Sequence, residues 1–389
     1  MRKFSVTPRL ALCAALGVTY IPFAIGADGL LLYKNGDDSL KFGNRLQVQY
    51  HRLDADPGAD SDDLFFRRVT PNLEATLGKD WFARLQVELV SSTGRRVSTT
   101  QDAYVQYKGV KNLKLNIGNA GFPFSREFLT SDERNQFVER ALVGNRSYGV
   151  PYRDLGLHLL GECADTRITY GFSVARATIH PDASKIFFDS PVNKGDDVNN
   201  GWIAGGRVDY HPFGKLAFAQ GDFDRKTKAT IGIAAYTWNN NGNNTYTDAA
   251  GSSTSTSKND VNQAQGAEMS GAVRYQGWSA DAEYNRIKAD AVDRGFTHGI
   301  YKSGAAVLRT YMVKAGYMVI AGKLELVAGY QGADADTYAK TWTSTLIGAN
   351  WFINKNDLKL QTTYQQSKDV KGAPGKNQDE LFVQGQYLF

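Results

Sequence analysis

The sequence predicts an all-β protein, a transmembrane antiparallel β-barrel of about sixteen strands with an inward-folded third loop. Three observations predict it. Apolar and polar residues alternate with period two along most of the chain. Short turns alternate with long polar connections. The first residues have the layout of an export signal.

Residues 1–27 carry a positive start in Arg2, Lys3 and Arg9, an apolar run from Leu10 to Ile25, and small residues at Gly26 and Ala27. Cleavage is expected after Gly26, with Ala24 three positions from the cut, or after Ala27. The run is short, is broken by Pro22 and gives way at once to polar chain, so it reads as a signal peptide rather than an anchor. Residues 28–389 then form a single barrel domain. With Cys13 removed, Cys163 is the one remaining cysteine, which leaves no disulfide framework and no thiolate metal site. Beyond the signal no apolar stretch approaches the roughly 20 residues of a membrane-spanning helix. Mean hydropathy is −0.40. A chain this polar crosses a membrane as a barrel, where every second residue meets lipid.

The strands justify themselves one by one. In the first, Leu40, Phe42, Leu46, Val48 and Tyr50 share one face, and Lys41, Gly43, Arg45, Gln47, Gln49 and His51 share the other. One face suits lipid and the other water. In the third, Trp81, Ala83, Leu85, Val87 and Leu89 oppose Arg84, Gln86 and Glu88. In the last, Leu381, Val383, Tyr387 and Phe389 oppose Glu380, Gln384 and Gln386. The full set of runs is 39–51, 64–77, 81–91, 101–108, 112–118, 154–162, 166–176, 201–210, 228–239, 263–276, 278–287, 304–319, 323–331, 342–353, 357–367 and 379–389. Tight turns at 78–80, 163–165, 277, 321–322 and 354–356 alternate with polar stretches at 52–63, 177–200, 240–262, 288–303, 332–341 and 368–378. Residues 239–260, rich in Asn, Ser, Thr and Gly, read as a mobile outer loop. Trp81, Trp202, Trp238, Trp278, Trp342 and Trp351 sit near strand ends, as an interfacial girdle requires.

The connection at 119–153 is too long and too patterned for a simple loop. Pro123 and Ser125 open it, and Thr130-Ser131-Asp132-Glu133 supplies helix-start chemistry, which predicts a short helix over Asn135 to Val143. About sixteen strands enclose an aqueous channel, and a loop folded into the lumen would narrow it.

The run Gly118-Asn119-Ala120-Gly121-Phe122-Pro123-Phe124-Ser125-Arg126-Glu127, followed by Phe137-Val138-Glu139-Arg140, resembles the third-loop signature of the phosphate-selective porin O/P family. Phe66-Arg67-Arg68-Val69, Asp102-Ala103-Tyr104-Val105-Gln106-Tyr107, Leu324 to Tyr330 and Gly348 to Asn354 resemble further strands of that family in the same order. At two places the chain departs. Gly329 stands where the family commonly has arginine, and Ala120-Gly121 stands where a lysine often follows the glycine opening the third loop. The resemblance implies a homotrimer of sixteen-stranded barrels in the bacterial outer membrane, with arginines and lysines passing anions along the pore.

Bottom-up, the cations expected to meet a permeating anion lie on inward strand faces and on the loop: Arg126, Arg140, Arg68, Arg84, Arg45, Lys41, Lys114, Arg167, Arg207, Arg274 and Lys314. Guanidinium forks match oxyanions two oxygens at a time. The same arginines also suit pairing with Glu74, Glu88, Asp102 or Glu268 in the barrel wall. The formal charge is +5, from 45 Lys+Arg against 40 Asp+Glu. Without Arg2, Lys3 and Arg9 it is 42 against 40, or +2, so any preference must come from where the charges sit. The expected function is passive diffusion of small anions, phosphate or related oxyanions. The alternative is a general or differently selective porin for small polar solutes, and a non-conducting sheath or adhesin using the 239–260 loop is the reading from another class. No cofactor is implied. The five histidines lack metal-site spacing, Ser125 and His158 make no catalytic set, no enzyme motif is present, and no basic stripe suits nucleic acid. The expected partners are a small anionic solute, outer-membrane lipid and further copies of the chain.

Overall fold

The computed structural model describes residues 29–90, 96–180, 182–193, 199–242, 245–247, 253–257, 260–292 and 296–389. The export signal expected at 1–27 lies outside the described residues, as do residues 243–244, 248–252 and 258–259 of the loop expected at 239–260.

Sixteen antiparallel strands close on themselves. In chain order they are β1 Asp38–Asp56, β2 Ser61–Leu77, β3 Trp81–Val90, β4 Arg96–Tyr107, β5 Leu113–Gly121, β6 Arg153–Cys163, β7 Ile168–His180, β8 Asn199–Tyr210, β9 Lys228–Asn239, β10 Val261–Tyr275, β11 Trp278–Ala291, β12 Ala305–Ile320, β13 Leu324–Ala335, β14 Trp342–Asn354, β15 Leu358–Lys368 and β16 Asn377–Leu388. Each pairs with its sequence neighbour, and β16 returns to β1 in register from Arg45↔Leu388 to Asp56↔Asn377. Short strands Leu30–Asn35 and Phe187–Asp189 lie beside β1 and β7, and Thr245–Thr247 pairs with Ser253–Ser257. Each of the sixteen barrel strands corresponds to one of the expected runs, and the four short strands to none.

The period-two reading holds on the outer wall. Val48, Leu85, Phe172, Ile233, Val313 and Leu360 are exposed there, as a lipid-facing surface requires. Trp81, Trp202, Trp278 and Trp351 are also exposed. Trp81 leans on Tyr107 and Trp278 on Tyr317 across the strands, at ring distances of 4.9 and 4.5 Å. The girdle expectation needs a correction at Trp238 and Trp342, which point inward and are buried.

The reason is a second correction. From β7 to β14, the inner wall near the long-loop end is apolar, not water-facing. Ile179, Ile203, Tyr236, Trp238, Ile287, Leu308 and Trp342 form one cluster with Phe122 and Phe124 of the third loop, Phe188 of the next long loop, and Ile300 and Tyr301 beyond β11. Tyr236 stands at its centre, with Phe122, Phe124 and Phe188 edge-on at 6.4, 5.0 and 5.5 Å. Its hydroxyl donates to the Gly149 carbonyl at 2.6 Å. Loops folded over this wall exclude water, so both faces of these strands are apolar.

A third correction concerns the turns. Residues 211–227 join β8 to β9 on the short-turn side, yet they are long and do not stay outside. Phe223 packs on Phe352 at 4.8 Å, Asp222 accepts the Gly277 N–H at 2.7 Å, and Gln220 is buried.

Trp238→Ala removes a fully buried ring and the indole bond to the Ala177 carbonyl (3.1 Å). It should cost about 3–5 kcal/mol, while Trp202→Ala on the lipid face should cost far less. Heat-modifiable mobility on gels, which reads the folded barrel, should shift to a lower temperature for the first only.

Candidate functional site: the lumen and its third loop

The loop at 122–152 crosses the lumen. It starts at β5, where Ser125 Oγ accepts the Phe128 N–H at 3.0 Å and caps a single turn, Arg126–Leu129. The helix expected over Asn135 to Val143 does not form. That stretch instead bends at 136–139 and runs into a 3-10 turn at Leu142–Gly144, and its backbone groups find side-chain partners on the barrel wall. Val138 N–H donates to Thr363 Oγ1 (3.1 Å) and Leu142 N–H to Gln331 Oε1 (2.8 Å). The Gln136 carbonyl accepts from Asn350 (3.0 Å), and the Val143 carbonyl from Asn285 (2.7 Å). Ser131 and Asp132 open only a 3-10 turn, Asp132–Arg134.

One edge of the loop is bound to β10–β15. Glu127 accepts Lys314 Nζ at 2.7 Å and Gln220 Nε2 at 2.7 Å, which ties loop, wall and the 211–227 insert together. Phe137 fills a notch at Gly329, where an added Cβ would stand 2.8 Å from the ring. The other edge faces β1 and β2 with three acids. Glu139 takes Arg67 in a two-pronged pair at 2.7 and 2.8 Å. Asp132 meets Arg68 at 3.2 Å and Arg140 at 2.5 Å, and Glu133 meets Arg45 at 2.9 Å.

Arg67 was not among the expected lumen cations, because strict period two points it at lipid. A β-bulge reverses this: Gln47 pairs with Arg68 and Val48 with Phe66, so Arg67 is the extra residue and both arginines serve the lumen. The signal was legible in the apolar phase, which slips from Leu64 and Phe66 to Val69 and Leu73.

The loop and the insert divide the lumen. On the β1–β6 side a cavity of about 1370 Å³ remains. Lys41, Arg45, Arg68, Arg84 and Arg140 of the expected cations line it, together with Arg67, Arg134, Arg146, Arg153 and Lys355, which the sequence reading missed. Against these ten cations stand eight side-chain carboxylates: Glu74, Glu88, Asp102, Asp132, Glu133, Glu139, Asp189 and Asp357. Arg84 is paired to Glu74 (2.7 Å) and Asp102 (3.3 Å). Along the loop side three guanidiniums lie over aromatic rings. Arg140 sits 5.5 Å from the Phe128 centroid, Arg153 4.8 Å from Tyr152, and Arg146 4.7 Å from Tyr152 and 4.6 Å from Phe187. Asp132, Asp102 and Asp189 hold them in turn at 2.5, 2.8 and 2.7 Å.

The remaining expected cations are elsewhere. Arg126, Arg207, Arg274 and Lys314 are buried in the closed half. Arg207 is locked by Asp209 (2.7 Å), Glu268 (2.8 Å) and the Phe124 carbonyl (2.7 Å). Arg274 pairs with Asp281 (2.8 Å) and donates to the Ala219 carbonyl of the insert (2.8 Å). Arg126 lies 3.4 Å from Asp281 and 5.4 Å from the Phe218 ring. Arg167 is in the turn before β7, not on a strand face, and Lys114 is exposed near the short-turn end of β5. Ser125 is committed to its cap, and His158 is buried between Ser173 (2.8 Å) and the Asp154 carbonyl (3.0 Å).

A closed sixteen-strand barrel with an apolar outer wall and a polar, loop-narrowed lumen is an outer-membrane porin. This chain belongs to the family of phosphate-selective porins O and P, whose model matches residues 40–389. Porin O of Pseudomonas aeruginosa is 31% identical over 134 residues, 30% of this chain and 31% of that protein, so the match spans about a third of the relative. In fold the chain is similar to the trimer form of in-vitro folded OmpT of Vibrio cholerae, at TM-score 0.58 and 12% identity, covering 90% of this chain and 99% of that one. It is likewise similar to the outer membrane channel DcaP of Acinetobacter baumannii, at TM-score 0.56 and 10% identity, covering 92% and 100%.

Two predictions follow from the divided lumen. Replacing residues 213–224 by a short Gly-Ser turn should raise single-channel conductance about twofold, because the closed half loses its floor. The second concerns acid. Burial works to raise the Glu139 carboxyl, but the Arg67 guanidinium outweighs it and holds the group down at about 2. The pair is therefore fully present above the ordinary carboxylate range and is lost only as pH falls toward that value. Conductance and selectivity should stay constant from pH 7 to roughly 4 and change below it, as read in planar bilayers.

Proposed function

We propose that the protein is a passive channel preferring small anions, phosphate or related oxyanions. The observation that carries this reading is the series Arg140, Arg153 and Arg146 along the open cavity. Each guanidinium lies over a ring and is paired to a carboxylate. Guanidinium is weakly hydrated and always charged, so a row of them lowers the cost of stripping water from an anion. The family's description supports phosphate as the solute. Lys41, Arg45, Arg67, Arg68 and Arg84 line the same cavity, Arg68 sharing Asp132 with Arg140 and Arg84 sharing Asp102 with Arg153. Arg126, Arg207, Arg274 and Lys314 act as scaffold in this reading and do not touch the solute. Residues 1–27 serve as the export signal, 28–389 as one barrel domain, and three copies assemble, as in the trimeric OmpT form.

A differently selective porin for small polar solutes is the second reading. Asp132, Glu133 and Glu139 favour it, since they neutralise Arg45, Arg67 and Arg68 at the narrowing loop.

Reversal potentials across a salt gradient separate the two. The first reading expects anion selectivity, block of chloride current by millimolar phosphate, and loss of both when Arg140, Arg146 and Arg153 become Gln. Glu139→Gln, which frees Arg67, should move the reversal potential further toward anions. Cation selectivity, or the absence of phosphate block, would decide for the second reading.

A further inference from the structure

The outer wall carries one feature that the channel does not use. On β11 and β12 the lipid-facing residues rise in register from Trp278↔Tyr317 at the short-turn end to Tyr284↔Tyr311 and then to Arg286↔Arg309. Lys288 follows one step higher on the same face as Arg286, and both are exposed. Two arginines directly opposite each other across a strand pair repel. Arg309 resolves its half by turning to β13 and beyond, to Asp334 at 3.6 Å and Asp336 at 3.1 Å. Arg286 and Lys288 have no ion-pair partner among the described residues. Gln265 faces Lys288 from β10 and adds an amide on the same exposed face.

Height decides what such a pair can meet. At about 3.3 Å per residue and a tilt near 40°, Arg286 lies roughly 20 Å and Lys288 roughly 25 Å above the Trp278 girdle. That is the top of an apolar band about 25 Å tall, just above the second aromatic pair, Tyr284 and Tyr311. The loops at this end are the long ones, so the level is that of the outer-leaflet headgroups. An unpaired guanidinium and ammonium there face neither lumen nor bulk water, but the phosphates of lipid headgroups.

We propose that Arg286 and Lys288, with Gln265 beside them, form a binding site for the phosphate of an outer-leaflet glycolipid on the wall between β10 and β12. The guanidinium takes two phosphate oxygens, the ammonium a third, and Tyr284 and Tyr311 flank the first acyl carbons. The bound phosphate also relieves the Arg286–Arg309 repulsion, so the lipid stabilises this sector of the barrel.

The test uses the folded full-length barrel in detergent, a bis-phosphorylated glycolipid, the same lipid dephosphorylated, and inorganic phosphate, with binding read by native mass spectrometry. The wild type should retain the phosphorylated lipid about tenfold better than the dephosphorylated one. R286Q/K288Q should lose that margin, R286K/K288R should keep most of it, and R176Q, at an outward cation stacked 5.3 Å over Trp202, should leave it unchanged. Heat-modifiable gel mobility confirms that each variant is folded. Equal retention of the two lipids, undiminished binding by R286Q/K288Q, or full displacement by millimolar inorganic phosphate would each overturn the assignment.

Discussion

Every backbone N–H and C=O that crosses lipid must find its partner within the protein, because the hydrocarbon offers none. The return of β16 onto β1 meets that requirement and removes the last sheet edge. The other features of the fold follow from closure. A closed wall gives each residue one of two surroundings, and the apolar alternation from Leu40 to Phe389 records it. Sixteen strands also enclose more space than side chains alone can fill, so the chain has to bring backbone inside. Two segments reach across that space, 122–152 from the long-loop side and 211–227 from the short-turn side, and the loops carrying Phe188 and Ile300 add to the first.

The two segments meet, and their meeting sorts the lumen charges into two kinds. Gln220 of the insert donates to Glu127 of the loop, which also holds Lys314 of the wall. Around that junction Arg126, Arg207 and Arg274 are dry, and each is set against an acid. Removing one partner from such a pair strands a buried charge at a cost of about 3–5 kcal/mol. These pairs therefore fix the loop. On the β1–β6 side the same chemistry meets water. There Arg45, Arg67, Arg68, Arg140, Arg146 and Arg153 pair with carboxylates along the open cavity, Arg45 and Arg68 buried in its wall and Arg146 the most exposed of the six. An arginine inside the barrel is thus scaffold or lining according to whether the loop and insert cover it, and strand parity alone does not separate the two.

That explains what was legible in the sequence. The sixteen strands were, because lipid on one side imposes a pattern that needs no tertiary information. The third loop's inward course was legible too, from its length and its Ser125 and Pro123 start. Arg67 was hidden by a one-residue slip of phase, visible only when Leu64 and Phe66 are set against Val69 and Leu73. The inward turn of 211–227 has no periodic signal, since its inward groups are isolated: buried Gln220 and half-buried Phe218 and Phe223 each answer a different partner. Trp238 reads as a girdle aromatic because nothing local to β9 announces that loops from elsewhere will cover its inner face. The helix over Asn135 to Val143 failed for the same reason. Its capping residues were real, but wall side chains took the backbone groups that a helix would have used.

The two departures from the family pattern carry different weight once the lumen is divided. Gly329 is the absence of a side chain where Phe137 must fit, and any larger residue would push the ring, and with it the loop, off the wall. The position lies in the closed half, beside Lys314, so an arginine there would meet Phe137 and Glu127 before it met solute. Its loss therefore removes no charge from the open route. Ala120 is another matter, because it lines the open cavity, in register with Asp154 of β6. At that level the positive side chain comes from the next residue of β6 instead, Arg153, supported by Tyr152 and Asp102. The positive charge along the open cavity thus comes less from cations built into β5 than from guanidiniums around the loop's return to β6. The rings beneath them matter as well as the charges, because Phe128, Tyr152 and Phe187 add a second contact to guanidiniums that Asp132, Asp102 and Asp189 already hold.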